Sequence, residues 1–368
     1  MKEGKIGFQE GFCAVMLSVL LKEIFIKQFY KFQVSNNSWI AEIIATMLTL
    51  LIFLVAVRII EKTDSQDLQE AFEKSVGKKL SSIFIFIYFL ISFADLVYLI
   101  AECAMIIKSY IFIRSPNGYI TAILCAVVGV CAFLGLEAVS RASKMFLIVT
   151  LLALGIVVIF ISDNFVTSNL FPLLGEGIDG IIFSGIRRFP FYIDTIALLL
   201  VGKAFYGIKF TKRIGVSAIS FAGIVTAVVF LGVSLTYSYT TLDTMISPFY
   251  QVLGMMDIGK YYQRLEDLLF FVIMTGLLVA GGFSLYCSAN IYCKAFSIKD
   301  IRPVIISISL LLYCCVYVLG LNVQWIEVID WYYYRSLSVF YVLPIIISVI
   351  AIKKKSKKNA KSIKCNEA

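Results

Sequence analysis

The sequence predicts an all-α integral membrane protein of ten transmembrane helices, arranged as a five-plus-five inverted repeat. Three observations carry this expectation. Hydrophobic residues make up 60% of the 368 and charged residues 15%, with mean hydropathy +0.91; a soluble domain averages roughly 45–50% apolar and about 25% charged. Apolar windows near or above the length that crosses a bilayer recur ten times along the chain. Two of these windows, five apart in order, are much longer than the others.

The windows fall at 7–29, 39–60, 80–113, 119–138, 144–163, 187–206, 214–239, 265–296, 302–321 and 332–352. In the first, Lys2 and Lys5 precede an apolar run from Gly11 to Leu21, as in a secretory signal. No small-residue cleavage site follows and further spans come after, so this is a retained helix. After span 2, the loop 61–79 predicts a short surface helix. Asp64 or Ser65 caps it, acids fill its first turn, and Gly77 with two lysines ends it. Two connections on the opposite side, 164–186 and 240–264, are longer. Span 6 carries Pro190 near its start and Gly202 near its end, with Gly185 just outside, the composition of a broken helix. In span 8, Gly281-Gly282 allows close helix packing, and Ser284, Ser288 and Asn290 offer polar contacts between helices. Trp325 and the run Trp331-Tyr332-Tyr333-Tyr334 read as an interfacial aromatic belt at the start of span 10.

Spans 3 and 8 explain the repeat. At ~1.5 Å per residue they reach about 50 Å, against a hydrocarbon core near ~30 Å, so they tilt or protrude. Five spans per half enter the membrane with opposite topology, an arrangement common in secondary transporters. The expected organisation is a first repeat over 1–163, a second over 164–352 and a basic tail over 353–368. Span 1 has neither glycine nor proline between Gly11 and Trp39, so it fits the broken-helix pattern less well than span 6.

Charge sets the expected orientation. Net charge is +9, and Lys353, Lys354, Lys355, Lys357, Lys358, Lys361 and Lys364 crowd the tail. Together with the lysines and arginines of the loops on the same side, this predicts both termini cytoplasmic and assigns the excess charge to the membrane flank, not to nucleic acid. There are nine cysteines, no CxxC pair and no histidine, which argues against a zinc site and excludes Ser-His-Asp and Cys-His catalysis. No G-x-x-x-x-G-K-[ST] phosphate loop is present. An enzyme and a bound cofactor are not expected.

Charges within spans are the candidate site. An ionisable side chain near the bilayer centre costs roughly 2.5–3.5 kcal/mol on insertion scales, so each needs a partner or a use. Asp95 lies near the middle of span 3, Glu102 follows two turns later on the same face, and Asp194 is central in span 6. Lys22 in span 1 is the cationic partner available to one of them, and its neighbour Glu23 reads as a helix-surface or paired acid. These residues, with Phe191 beside Pro190 and with Ser284, predict a cavity between spans 1, 3, 6 and 8 that suits an ammonium group or a monovalent cation. The structural alternative is an ion pair with protonated carboxyls. Glu137 and Arg141 are an i,i+4 pair at a helix end, and Arg264 and Glu266 sit at the mouth of span 8; each is either a local salt bridge or a gate or partner contact.

Several motifs, in order, resemble the B subunit of endospore germinant receptors, the spore germination permeases of the amino acid–polyamine–organocation superfamily. Gln9 followed by Trp39 is similar to the family's Q…W spacing around the first span, and Val76-Gly77-Lys78 to its GK before the third. Ser115-Pro116 resembles the TP that closes span 3, and Gly135-Leu136-Glu137-Ala138-Val139-Ser140-Arg141 the G-x-E-x-x-x-R at the end of span 4. Asn169-Leu170-Phe171-Pro172 resembles NLxP after span 5; Pro248 with Arg264-Leu265-Glu266 resembles P…RLE before span 8. The resemblance implies a LeuT-like fold and a small nutrient, such as an amino acid, sensed near spans 1 and 6. The implied partners are a receptor A subunit and a lipoprotein C subunit, in the spore inner membrane. It departs at span 1, where the family's glycine break and proline are replaced by Leu20, Lys22 and Lys27. Three readings remain: a nutrient receptor subunit, an amino acid or cation symporter, and a scaffold that has lost its ligand.

Overall fold

The computed structural model describes residues 6–25, 37–173, 177–245, 247–256, 265–320 and 338–353. The described chain is helical, without strands. Helices α1 (Phe8–Phe25), α2 (Ser38–Lys62), α3 (Leu68–Val76), α4 (Lys78–Ile106), α5 (Asn117–Phe133) and α6 (Leu136–Ile161) form the first half. The second half has α7 (Ile178–Arg188), α8 (Ile193–Leu200), α9 (Ile208–Thr236), α10 (Tyr239–Thr244), α11 (Pro248–Leu253), α12 (Leu265–Phe296), α13 (Ile301–Gly320) and α14 (Ser338–Lys353). Among the described residues six helices are long and apolar enough to cross a membrane, and α5 and α14 are shorter apolar helices. Their outward faces carry bare Leu, Ile, Val and Phe, among them Ile123, Leu152, Ile159, Ile224, Phe271 and Leu310. Water would not tolerate so large an apolar surface, and lipid does. The chain is an integral, multi-pass membrane protein.

The two long spans have the expected length. A π-helical turn at Ile107–Ile111 extends α4 to 34 residues, and α12 has 32. α12 is the central post, packed against α4, α5, α6 and α1. Its glycines make that possible: a Cβ on Gly282 would lie 2.5 Å from Cys131 Cβ, and one on Gly281 would lie 3.1 Å from Val128. α1 runs between α9, α6 and α12, and α2 crosses α9 and α7.

The loop after span 2 does fold as a surface helix, α3, but its cap differs from expectation. Asp67 occupies the N-cap and accepts from the Glu70 amide at 2.9 Å, whereas Asp64 sits in a left-handed turn (φ 45°). Asp67 wins because its side chain is also needed by Lys294 of α12, 2.7 Å away. Gly77, with φ 91°, closes α3 as foreseen and turns the chain into α4. The longer connections are not plain loops. Residues 164–186 hold a 3₁₀ turn at Thr167–Leu170 and most of α7, and 240–264 hold most of α10 and all of α11. The α3 end of the bundle carries the starts of α1, α4 and α6; the other is the far end.

Candidate functional site

The site is built where span 6 breaks. Pro190 cannot donate to a helical ladder, and the chain between α7 and α8 tightens into a 3₁₀ turn at Phe189–Tyr192. A second 3₁₀ turn, Gly202–Ala204, ends the segment. α8 is only eight residues long, so Asp194 lies in its first turn, at the positive end of its helix dipole.

Against that break α1 presents Lys22. Its Nζ lies 2.5 Å from Oδ2 of Asp95 on α4 and 2.8 Å from Oδ2 of Asp194. Asp194 Oδ2 also accepts from the hydroxyls of Ser18 and of Ser284, the latter at 3.0 Å. The two serine oxygens are themselves 3.0 Å apart. One ammonium therefore ties spans 1, 3 and 6 together, and Ser284 brings in span 8 through Asp194, all of it shut away from the surface. The second oxygen of each carboxylate, Oδ1 of Asp95 and of Asp194, is buried with no hydrogen-bond partner. The ring carries two acids and one cation, and so retains a negative charge and two unused acceptors.

Of the expected site residues, the fold brings Lys22, Asp95, Asp194 and Ser284 together. Lys22 pairs with one oxygen of each aspartate, more than a single pair. Glu102 does not join them: it accepts from the Tyr98 hydroxyl at 2.9 Å, along its own helix toward the far end. Phe191 is buried in the 3₁₀ turn beside the ring. Ser288 continues the polar line on α12, 2.7 Å from Ser92 of α4. Arg141 Nη2 contacts Glu137 at 2.6 Å and Arg141 Nε comes to 3.7 Å from Glu10, both on the exposed α3 end. Glu266 begins α12 at the far end; Arg264 lies outside the described residues, as do Trp325 and Trp331–Tyr334.

A second charged layer lies between the ring and the far end. Arg188 Nη1 lies 3.7 Å from Glu42 Oε2 and donates to the Ser38 carbonyl at 2.9 Å. The Tyr192 hydroxyl donates to Glu42 Oε1 at 2.5 Å and lies 3.1 Å from the Thr46 hydroxyl. Glu23, expected on the helix surface or paired, is not on the surface. It is wholly buried, its carboxylate reached by the charges of Glu42, Arg188, Asp95 and Lys22. Sequence reasoning missed Glu42 and Arg188. Glu42 was detectable, being an acid inside an apolar window; Arg188 was not, because it sits at the edge of one beside a second arginine.

At the α3 end a cleft of 1290 Å³ opens between the start of α6 and the α12–α13 connection. It reaches Tyr286 and Asn290 and is lined by Arg141, Lys294, Lys299 and Arg302.

A bundle of long apolar helices, split at its centre around a buried ion-paired site, is that of a permease-like membrane protein. The chain belongs to the spore germination protein family, whose model matches residues 24–324. It is 22% identical over 311 residues to spore germination protein KB of Bacillus subtilis strain 168, covering 82% of this chain and 81% of that one. Its fold is shared with solved transporters. A Na⁺-coupled sialic acid symporter superposes with a TM-score of 0.62 at 12% identity, over 93% of this chain and 79% of that one. The manganese transporter of Eremococcus coleocola gives 0.65 at 14%, over 94% and 78%. Both neighbours are LeuT-fold-like transporters.

Proposed function

We propose that this chain is the membrane subunit of a spore germinant receptor, which recognises a small nutrient with an ammonium group, such as an amino acid, at the Lys22–Asp95–Asp194 ring. The observation that carries this reading is the pair of buried, unpartnered carboxylate oxygens on Asp95 and Asp194 beside a broken helix. An ammonium group supplies the donors that these oxygens lack, and the residual negative charge of the ring favours it. Binding that draws Asp194 toward a ligand loosens its hold on Lys22, and so biases how α8 sits against α1. A ligand shifts such an equilibrium only by its unequal affinity for the two states.

In this reading the fold is ten spans in a five-plus-five inverted repeat, residues 1–163 and 164–352, with both termini and the α3 end cytoplasmic. The protein resides in the spore inner membrane, with A and C subunits as partners. Glu137 and Arg141 at the α3 end, and Arg264 with Glu266 at the far end, are the positions for gating or subunit contact.

The test is genetic and biophysical together. Spores lacking the native gene are complemented with wild type, Asp95→Asn or Asp194→Asn, and scored over a nutrient panel. The expected result is loss of response with the subunit still present in the membrane. A full response from both variants would refute the ring as the nutrient site.

A second reading, a symporter of amino acids or cations, is favoured by the fold shared with the two transporters. Uptake of labelled substrate into liposomes by the chain alone would support it; saturable binding without uptake favours the receptor. A scaffold without a ligand is the remaining alternative, favoured by the unbroken run of α1.

A further inference from the structure

The second charged layer carries a different conclusion from the ring. It holds two carboxylates, Glu23 on α1 and Glu42 on α2, and one guanidinium, Arg188, all at 2% exposure or less. Both oxygens of Glu23 are buried without a hydrogen-bond partner, and so is Oε2 of Glu42, whose counter-charge among the described residues is Arg188 at 3.7 Å. The remaining charges facing Glu23 are Lys22 and Asp95. Lys22 is already committed to two aspartates at 2.5 and 2.8 Å and has no charge to spare. Tyr192 faces both glutamates and donates to Glu42.

An isolated buried carboxylate, with neither donor nor counter-ion, is among the costliest groups a fold can hold, and such a group takes up a proton instead. Among the described residues no N–H or O–H donates to Glu23, and the cations whose charge reaches it, Arg188 and Lys22, already face Glu42 and the two aspartates. An alkali ion would need several oxygen ligands around it; a proton needs none.

We propose that Glu23 and Glu42 form a proton-binding site, in which the two acids together hold one exchangeable proton and Arg188 faces the charge that remains. The site lies on the far-end side of the Lys22 ring and is distinct from it: the ring's deficit is met by a nutrient ammonium, this one by a proton from solvent. The two are joined through the α1 backbone, where Lys22 and Glu23 are consecutive. Proton binding does not depend on the ring's being a nutrient site.

The experiment is infrared spectroscopy of the full chain in lipid nanodiscs, in H₂O and D₂O, following the C=O stretch of protonated carboxyl groups from about pH 6 to about pH 9, a range that reaches documented buried glutamates. Wild type is expected to show at neutral pH a carboxylic-acid band that shifts in D₂O. Glu23→Gln and Glu42→Gln should each abolish it, because the charge of each carboxylate is what opposes ionisation of the other. Glu102→Gln should leave it in place. A band unchanged in both single variants, or removed only by Glu102→Gln, would overturn the proposal. The wild type also tests it without any substitution: absence of a protonated carboxyl band at neutral pH refutes it. As a second measure, thermal stability of wild type should fall as pH rises over this range, since the folded state there holds a proton that the unfolded chain has released; Glu23→Gln should flatten that slope.

Discussion

Lys294 Nζ lies 2.7 Å from Oδ2 of Asp67, so the last turn of the central post α12 is pinned to the N-cap of the surface helix α3. The same ammonium donates to the Leu200 carbonyl at the end of α8. One side chain thus joins the surface helix, the post and the lower end of the broken span, at the mouth of the cleft on the α3 end.

Asp67→Ala removes the cap and the ion pair together. Loss of an N-cap costs about 0.5–2 kcal/mol, and Lys294 loses the Asp67 carboxylate. Hydrogen exchange should speed up throughout Leu68–Val76 while the amides of α12 stay protected. Asp67→Asn keeps a capping oxygen and should recover the helix but not the link to Lys294. Equal exchange in the two variants would mean that the ion pair contributes nothing.

Lys22→Met removes the cation that Asp95 and Asp194 share. Breaking a buried ion pair by removing one partner costs roughly 3–5 kcal/mol, and the thermal midpoint in nanodiscs should fall accordingly. The triple variant Lys22→Met, Asp95→Asn, Asp194→Asn removes the uncompensated charge and should regain most of the loss. A triple variant no more stable than Lys22→Met would show that the charges are not the cause.

Gly282→Leu drives a side chain into the α5 backbone, where Cys131 Cβ and the Ala132 amide stand 2.5 and 3.5 Å from any added Cβ. Overpacking of this kind costs typically about 1–3 kcal/mol. Gly155, whose added Cβ meets nothing within 4 Å, is the control, and Gly155→Leu should melt like wild type.

Glu70, on the exposed face of α3, is held below the usual carboxylate range. The main cause is the Gln66 amide, which donates to its Oε2 at 2.9 Å; Lys74, 3.3 Å from Oε1, adds to it. A carboxyl depressed in the folded state stabilises it above the unfolded value, about 4.3, and ceases to do so as pH falls through the folded value. Glu70→Gln should therefore loosen α3 slightly at neutral pH, and the difference from wild type should vanish in acid. Hydrogen exchange of α3 at the two pH values measures it, and a difference that persists in acid would contradict the assignment.

Local periodicity and apolar run length accounted for the lengths of α4 and α12, the break at Pro190, the end of α3 at Gly77 and the close packing at Gly282. They also singled out Lys22, Asp95 and Asp194, because the cost of a charge in lipid can be assessed one residue at a time. Glu102 was misplaced beside them: two turns along α4 keep it on a similar face but carry it beyond the ring, where Tyr98 takes it.

Run length, charge cost and glycine placement are properties of short stretches of chain, and the sequence alone sufficed for them: a helical, lipid-embedded bundle with ionisable groups in its middle. Which acid meets which base was decided only by tertiary structure. Asp67 displaced Asp64 as a cap because Lys294, 227 residues away, needed it. Glu23 became a buried acid without a hydrogen bond, and not a surface one, because α2 and the Arg188 turn close over it. Coulomb energy depends on separation in space, and a linear order of residues does not contain that separation until the helices have packed.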